Sequence, residues 1–421
     1  MGLIDSPFDW IGQVPANWNI QRTKYIFRII KKQVPYEGQQ ILSITQSGVK
    51  PKSVLKNEGQ MAKSYDGYQI VNCGDFAMNS MDLLTGWVDQ SDFNGLTSPD
   101  YRVFRAHDLS AICGRYFLYV FQLLYFRRIY YRFGQGVSNL GRWRLPTDVF
   151  LNFPLPVPPK LEQSVIANYL DAKTSEIDGL IEKLRREIEL LERYRRELIA
   201  YTVTYGLDLD VPMRDSRIEW MPQIPSHWEV LQGKRVFTKL QRPVREGSET
   251  ITCFRDGTVT LRRNRRSEGF TESLQEIGYQ GVEPGDLVIH EMDAFAGAIG
   301  VSDSFGKSTP VYAVCAIKNS GDPHFYAYLL RQMAQSDFII SLAKGIRQRT
   351  VDFRFKTLAS LLIAVPPSSE QRQIANFLNS RMLEIDSTIS GINKQIVLLE
   401  QYRRQVVDYA VTGKIRVGEM V

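Results

Sequence analysis

Two kinds of basic and amide-bearing patch recur at matching places in this chain, and their side chains suit the edges and phosphates of a nucleic acid. The first patch holds Lys50, Lys52 and Lys56, answered later by Arg255 and the run Arg262-Arg263-Asn264-Arg265-Arg266. The second is Gln135-Gly136-Val137-Ser138-Asn139-Leu140-Gly141-Arg142-Trp143-Arg144, answered by Lys344-Gly345-Ile346-Arg347-Gln348-Arg349. A guanidinium fork grips a guanine edge or a phosphate in bidentate fashion, whereas Gln and Asn amides match an adenine edge. The shared glycines Gly136 and Gly345 let a loop approach closely. One charge run alone is ordinarily a solvated face; two kinds of patch repeated at equivalent positions favour contact with a polyanion. Asn79 and His290, each two residues before a Met-Asp pair, are further candidates. Phosphate contacts match or outnumber base contacts in such interfaces. The Arg262 to Arg266 cluster therefore reads as mainly electrostatic, and Gln135, Asn139, Arg347 and Gln348 as better candidates for base readout.

Residues for catalysis do not gather in the same way. The nearest approach to a P-loop, Gly300-Val301-Ser302-Asp303-Ser304-Phe305-Gly306-Lys307-Ser308, has five residues between its glycines where the motif needs four. Its counterpart at residues 90–97 has no lysine. There is no GxSxG elbow, no HExxH pair, no GxGxxG after a strand and no Asn-Pro-Pro-aromatic motif. The histidines His107, His227, His290 and His324 are not at metal-ligand spacing. The expectation is a reader with no catalytic centre, metal or cofactor of its own.

The frame that positions these patches is duplicated. Asp5-Ser6-Pro7-Phe8-Asp9-Trp10-Ile11-Gly12-Gln13-Val14-Pro15-Ala16-Asn17-Trp18 returns about 210 residues later as Asp215-Ser216-Arg217-Ile218-Glu219-Trp220-Met221-Pro222-Gln223-Ile224-Pro225-Ser226-His227-Trp228. A repeat of this length is a domain-plus-helix unit, far from the short periods of solenoids. Residues 19–156 and 229–364 are mixed segments rich in aromatic and β-branched residues, with turn signals such as Asn72-Cys73-Gly74-Asp75 and Glu283-Pro284-Gly285-Asp286. Residues shared between them, such as Met81-Asp82 with Met292-Asp293 and Tyr101 with Tyr312, are mostly turn formers and aromatics that serve the fold. Readout of two different sequences should come from positions where the copies differ.

A Pro-Pro pair then breaks the chain before a helix start, and residues 161–204 and 369–412 contain no proline. In the first helical stretch, apolar residues recur with four–three spacing at Ile177, Ile181, Leu184, Ile188, Leu191 and Leu198. The second carries Ile385, Ile389, Ile392, Ile396, Leu399 and Val406. A period of 3.5 marks a coiled-coil seam, whereas a helix lying on a globular core drifts toward 3.6. Two seams in one chain most simply pair with each other. A pseudo-two-fold relation between the halves would make that pairing antiparallel and set the globular segments at opposite ends. The first seam, about 33 Å long at 1.5 Å per residue, is close to one turn of B-DNA.

At 421 residues the chain can hold two or more domains with their own cores. Its formal net charge of +6 leans toward a polyanionic partner. Cys73, Cys113, Cys253 and Cys315 lack CxxC spacing, which suits a reduced cytoplasmic protein with buried thiols. The longest apolar stretch, around residues 116–126, is too short to span a membrane, and the N-terminus lacks a signal-peptide pattern.

The chain resembles the specificity subunits of type I restriction–modification systems, HsdS. The resemblance rests on Pro158-Pro159-Lys160-Leu161-Glu162-Gln163-Ser164-Val165-Ile166-Ala167-Asn168-Tyr169-Leu170 and its second copy from Pro366 to Leu378. Glu176-Ile177-Asp178 with Tyr194-Arg195-Arg196, repeated as Glu384-Ile385-Asp386 with Tyr402-Arg403-Arg404, extends it over almost the whole chain. It implies an α+β fold of two mixed α/β target recognition domains, each followed by a long α-helix, with the helices in an antiparallel coiled coil of pseudo-two-fold symmetry. The implied segments are 1–157 and 207–365 for recognition, and 158–206 and 366–421 for the helices. Each recognition domain would read one half of an asymmetric bipartite site in double-stranded DNA. The helices would set the spacer and dock two HsdM modification subunits, with HsdR restriction subunits joining the full complex. S-adenosylmethionine, ATP and Mg would be bound by those partners. A competing class is a coiled-coil scaffold whose lateral domains bind protein or RNA; steep salt dependence of duplex-DNA binding separates the two. A self-sufficient nuclease or methyltransferase would need the catalytic motifs that are missing.

Overall fold

The computed structural model describes residues 2–52, 64–136, 143–265, 276–342 and 353–417. The chain divides into two compact units, Met1–Arg185 with Asn393–Val421, and Arg186–Ile392. Both are built on one plan. In the first, an antiparallel four-stranded sheet runs in the order Phe27–Ile30, Arg102–Ala106, Phe76–Met78, Val88–Gln90. The second repeats it with Phe237–Lys239, Tyr312–Ile317, Leu287–His290 and Ile299–Val301.

Strand alternation sorts side chains between the two faces of each sheet. In the first unit Phe76, Met78, Phe104 and Ala106 enter one core, while Ala77 and Val103 enter another with Leu42, Ile44, Val49 and Val71. The larger core is completed by helix Gly114–Phe126, whose Phe117, Val120, Phe121 and Leu124 form one apolar stripe. That helix stops at Arg127, beyond which Arg128 turns left-handed at φ 52°. The second unit places Leu287, Ile289, Ala313 and Cys315 on its helix side, and Val288, Tyr312 and Val314 on the other. Its helix, Pro323–Gln335, begins on Asp322, whose Oδ1 accepts from the backbone of His324 and Phe325 at 2.9 and 3.1 Å. The expected decoy P-loop is strand, turn and strand, with Lys307 paired to Glu276.

The duplicated motifs are joinery. Glu162 accepts the Trp18 indole N–H at 2.9 Å, and Glu370 accepts that of Trp228 at 3.1 Å. Gln163 accepts the Cys113 N–H at 2.8 Å and donates to the Pro158 carbonyl at 2.8 Å. Gln371 does the same with Asp322 at 2.9 Å and Pro366 at 2.7 Å. Each long helix is thus anchored to its domain at its first turn.

The long helices are Lys160–Tyr205 and Ser368–Val411. Ile177, Ile181, Ile385, Ile392, Ile396 and Val406 are buried, and Leu184, Ile188, Leu191, Ile389 and Leu399 half-buried. Ion pairs connect the helices within each unit. Arg403 meets both Asp178 oxygens, at 2.8 and 3.0 Å, and Arg185 meets Glu400 at 3.4 Å. In the second unit the equivalent pair is Arg195 with Asp386. At Leu198 the expected register slips: Ile199 and Val203, outside the expected seam, take the buried places within the second unit's core, and Leu198 packs half-buried against it. Val407, Ala410 and Val411 similarly follow Val406 into the first unit's core. The last turns pack on a globular core, where the 3.6 period prevails.

The cysteine expectation is corrected in part. Cys253 and Cys315 are buried, and burial pushes both thiols up, that of Cys315 to about 12. Cys73 is exposed because it sits at the tip of the Asn72–Asp75 turn, and Cys113 is half-buried ahead of a helix. No helix among the described residues is long and apolar enough to cross a membrane.

Candidate nucleic-acid interface

Each unit lays a two-stranded hairpin on the sheet face opposite its helix. In the first unit Leu42–Thr45 pairs with Gly48–Pro51; in the second, Ile251–Cys253 pairs with Val259–Leu261. The hairpins superimpose in register: Lys52 and Arg262 follow their second strands and donate equivalent backbone bonds, to Ile41 and Thr250, each at 2.8 Å. The early basic patches therefore occupy the same structural place.

In the second unit Arg255, Arg262, Arg265 and His290 line a cleft of about 650 Å³ with Asp256, Asp293 and Tyr312. Carboxylates hold two of the guanidinium groups: Arg255 Nη2 donates to Asp293 at 2.9 Å, and Arg265 Nη1 to Asp256 at 2.6 Å. Arg265 also lies over the Phe254 ring, and Arg262 Nε donates to Thr252 Oγ1 at 3.3 Å. Arg263 turns aside to Glu249 at 2.6 Å. Much of the local positive field is thereby cancelled, and what remains is a set of oriented donors. His290 ends a central strand, its ring edge-to-face with Tyr312. Its Nδ1 accepts the Asp293 N–H at 3.0 Å, and burial holds the imidazole below its ordinary pKa. A neutral ring is the form that accepts at Nδ1 and carries its proton on Nε2.

In the first unit the equivalent of His290 is Asn79, whose Oδ1 accepts the Met81 N–H at 3.2 Å. Both residues tie the turn that carries their Met-Asp pair. Lys50 is exposed on its hairpin and Lys52 half-buried. Gln135 and Arg144 exchange two backbone hydrogen bonds, at 2.8 and 2.9 Å, and form a short antiparallel stem. Trp143 packs across that stem and donates its indole N–H to the Tyr131 carbonyl at 2.6 Å. A Cβ at Gly134 or Gly136 would overlap the Trp143 ring, so here the glycine serves close packing. Beneath the stem, buried Arg102 donates to the Leu145 carbonyl at 2.9 Å and lies over the Phe150 ring. Burial pulls its pKa down to about 10. Gly136→Val is expected to shift Trp143 and cost the first unit about 1–3 kcal/mol by overpacking. Chemical denaturation followed by tryptophan fluorescence reads it, and an unchanged midpoint would show that the stem tolerates a side chain.

Lys56, Ser138, Asn139, Arg142, Arg266, Lys344, Arg347, Gln348 and Arg349 lie outside the described residues. Reasoning from charge in the sequence missed Asp256 and read Asp293 and Tyr312 only as fold residues, although Asp256 and Asp293 orient cleft arginines. The signal that could have found them is the repeat itself, once one extra residue is allowed in the second hairpin, at Gly257.

No family model matches the chain. It is 24% identical over 301 residues to the type I restriction enzyme MjaVIII specificity subunit of Methanocaldococcus jannaschii, a match covering 68% of this chain and 67% of that one. To the EcoBI specificity subunit of Escherichia coli it is 22% identical over 292 residues, covering 62% of this chain and 58% of that one. In fold it is similar to the HsdS subunit from Thermoanaerobacter tengcongensis, with a TM-score of 0.56 at 14% identity over 98% of this chain and all of that one. Its curated relatives are thus type I specificity subunits, and the structural likeness extends to an HsdS fold.

Proposed function

We propose that this chain is the specificity subunit of a type I restriction–modification assembly, supplying sequence readout of duplex DNA without a catalytic centre of its own. The observation that carries this reading is a repeated frame with unlike donors at matching places: Lys52 and Asn79 in one copy, Arg262 and His290 in the other. Its relationship to type I specificity subunits supports the same conclusion. Segments 1–157 and 207–365 act as the two recognition domains, each reading one half of an asymmetric bipartite site. The segments 158–206 and 366–421 pair as an antiparallel coiled coil that sets the spacer. The duplicated pairs Asp178–Arg403 and Asp386–Arg195, each joining an early residue of one helix to a late residue of the other, support that pairing. Exposed Leu190 and Tyr194, with their equivalents Leu398 and Tyr402, offer repeated apolar faces to two modification subunits. Those subunits bring S-adenosylmethionine and the methylated adenine's pocket, restriction subunits bring ATP-driven cleavage with Mg, and the assembly works in the cytoplasm.

Methylome sequencing of cells expressing the chain with its modification subunit tests this reading. Exchange of residues 19–156 for another recognition domain should change one half-site and leave the other. Inserting a four-residue turn within residues 177–198, matched within 385–406, should lengthen the spacer by about 6 Å, or about two base pairs. Altered half-sites with an unchanged spacer would refute the role of the helices as a ruler. Absence of any sequence-specific methylation would favour the scaffold class.

A further inference from the structure

Two residues at the hairpin tips occupy one position in the two copies and differ in chemistry. The first hairpin ends its first strand at Thr45, so Gln46 opens the loop; the second pairs through Cys253 and closes Phe254 on Thr258 at 2.8 Å, so Arg255 opens the loop. Both side chains are exposed, and both reach the turn that carries the Met-Asp pair. Gln46 Nε2 donates to the Thr85 carbonyl at 3.3 Å, and Arg255 Nη2 donates to Asp293 Oδ1 at 2.9 Å. The turn aspartates explain the difference in partner. Asp82 is occupied by the backbone N–H groups of Leu84 and Thr85, at 2.9 and 3.0 Å, whereas Asp293 extends a carboxylate oxygen to the arginine.

We propose that Gln46 and Arg255 are the matched base-reading positions of the two domains, Gln46 recognising an adenine edge and Arg255 a guanine edge. A two-stranded ribbon fits the major groove of B-DNA, and its tip is the part that can reach base edges. A side chain tethered at one donor loses less conformational freedom when its remaining donors engage a base, and among the described residues the one hydrogen bond of the Arg255 fork is through Nη2. This inference rests on the specificity-subunit reading.

Its test compares methylomes of cells producing the full chain with its modification subunit, as wild type, Gln46→Arg and Arg255→Gln. Gln46→Arg should change one base of the half-site read by the first domain, and Arg255→Gln one base of the other, each by about ten- to a hundredfold in preference. The untouched half-site serves as the control that each variant folds. An unchanged motif in both variants would overturn the proposal. So would a uniform loss across sequences with a salt slope shallower by about one, the mark of a phosphate contact. A wild-type chain that directs no bipartite motif would instead refute the reading beneath it, and the inference would fall with that reading.

Discussion

Replacing Trp228 with alanine is expected to destabilise the second unit by about 3–5 kcal/mol, the range for removing a fully buried indole. Trp228 is 1% exposed, stands edge-to-face with Phe325 at 6.3 Å, and donates to Glu370 on the first turn of the second long helix. The substitution leaves a cavity and removes a donor from a carboxylate whose other partner among the described residues is His227, at 2.7 Å. Trp228→Phe separates the two losses, because it keeps most of the volume and should cost roughly 1–3 kcal/mol. Trp18→Ala should act equivalently in the first unit, where Trp18 donates to Glu162. Denaturation of each variant, followed at aromatic absorbance, measures the shifts. A midpoint unchanged in Trp228→Ala would mean that the indole does not anchor the helix to its domain.

Raising salt from about 50 to 200 mM should weaken duplex-DNA binding by the chain with its modification subunit about a thousandfold, if about six phosphates are neutralised. If Lys50, exposed on the first hairpin, contributes to that non-specific term as proposed, Lys50→Ala should make the salt slope shallower by about one for every sequence alike. Arg265 should behave differently. Its charge is already paired with Asp256, so Arg265→Ala should change sequence preference more than salt slope. Binding insensitive to salt would contradict the proposed DNA-reading function and support a protein-binding scaffold. Fluorescence anisotropy across a salt series distinguishes these outcomes.

The helices were the most legible part of the sequence. A Pro-Pro break and an unbroken run of helix formers place the first at residues 161–204, and the structure has Lys160–Tyr205. Local rules suffice there, because a helix is specified by its own turns and by the period of its apolar stripe. The sheet was less legible. Its strands are short, mostly three to six residues, and come from positions far apart, as when Arg102–Ala106 lies between Phe27–Ile30 and Phe76–Met78. Strand order depends on packing partners that no local pattern names.

By itself the sequence determined the duplication, the extent of the helices, the apolar stripe along them and the places where basic residues concentrate. Each of these is carried by residue type and spacing within one stretch of chain. Tertiary structure alone decided which of those residues can act together. It brings Arg255, Arg262 and Arg265 from a hairpin to His290, Asp293 and Tyr312 from the sheet, and sets Asp256 and Asp293 against two of the arginines. It also makes uncharged Gln46 the counterpart of Arg255. The physical reason is that a guanidinium's role depends on its neighbours: unpaired it is a mobile charge, and tethered by a carboxylate it becomes a donor of fixed direction.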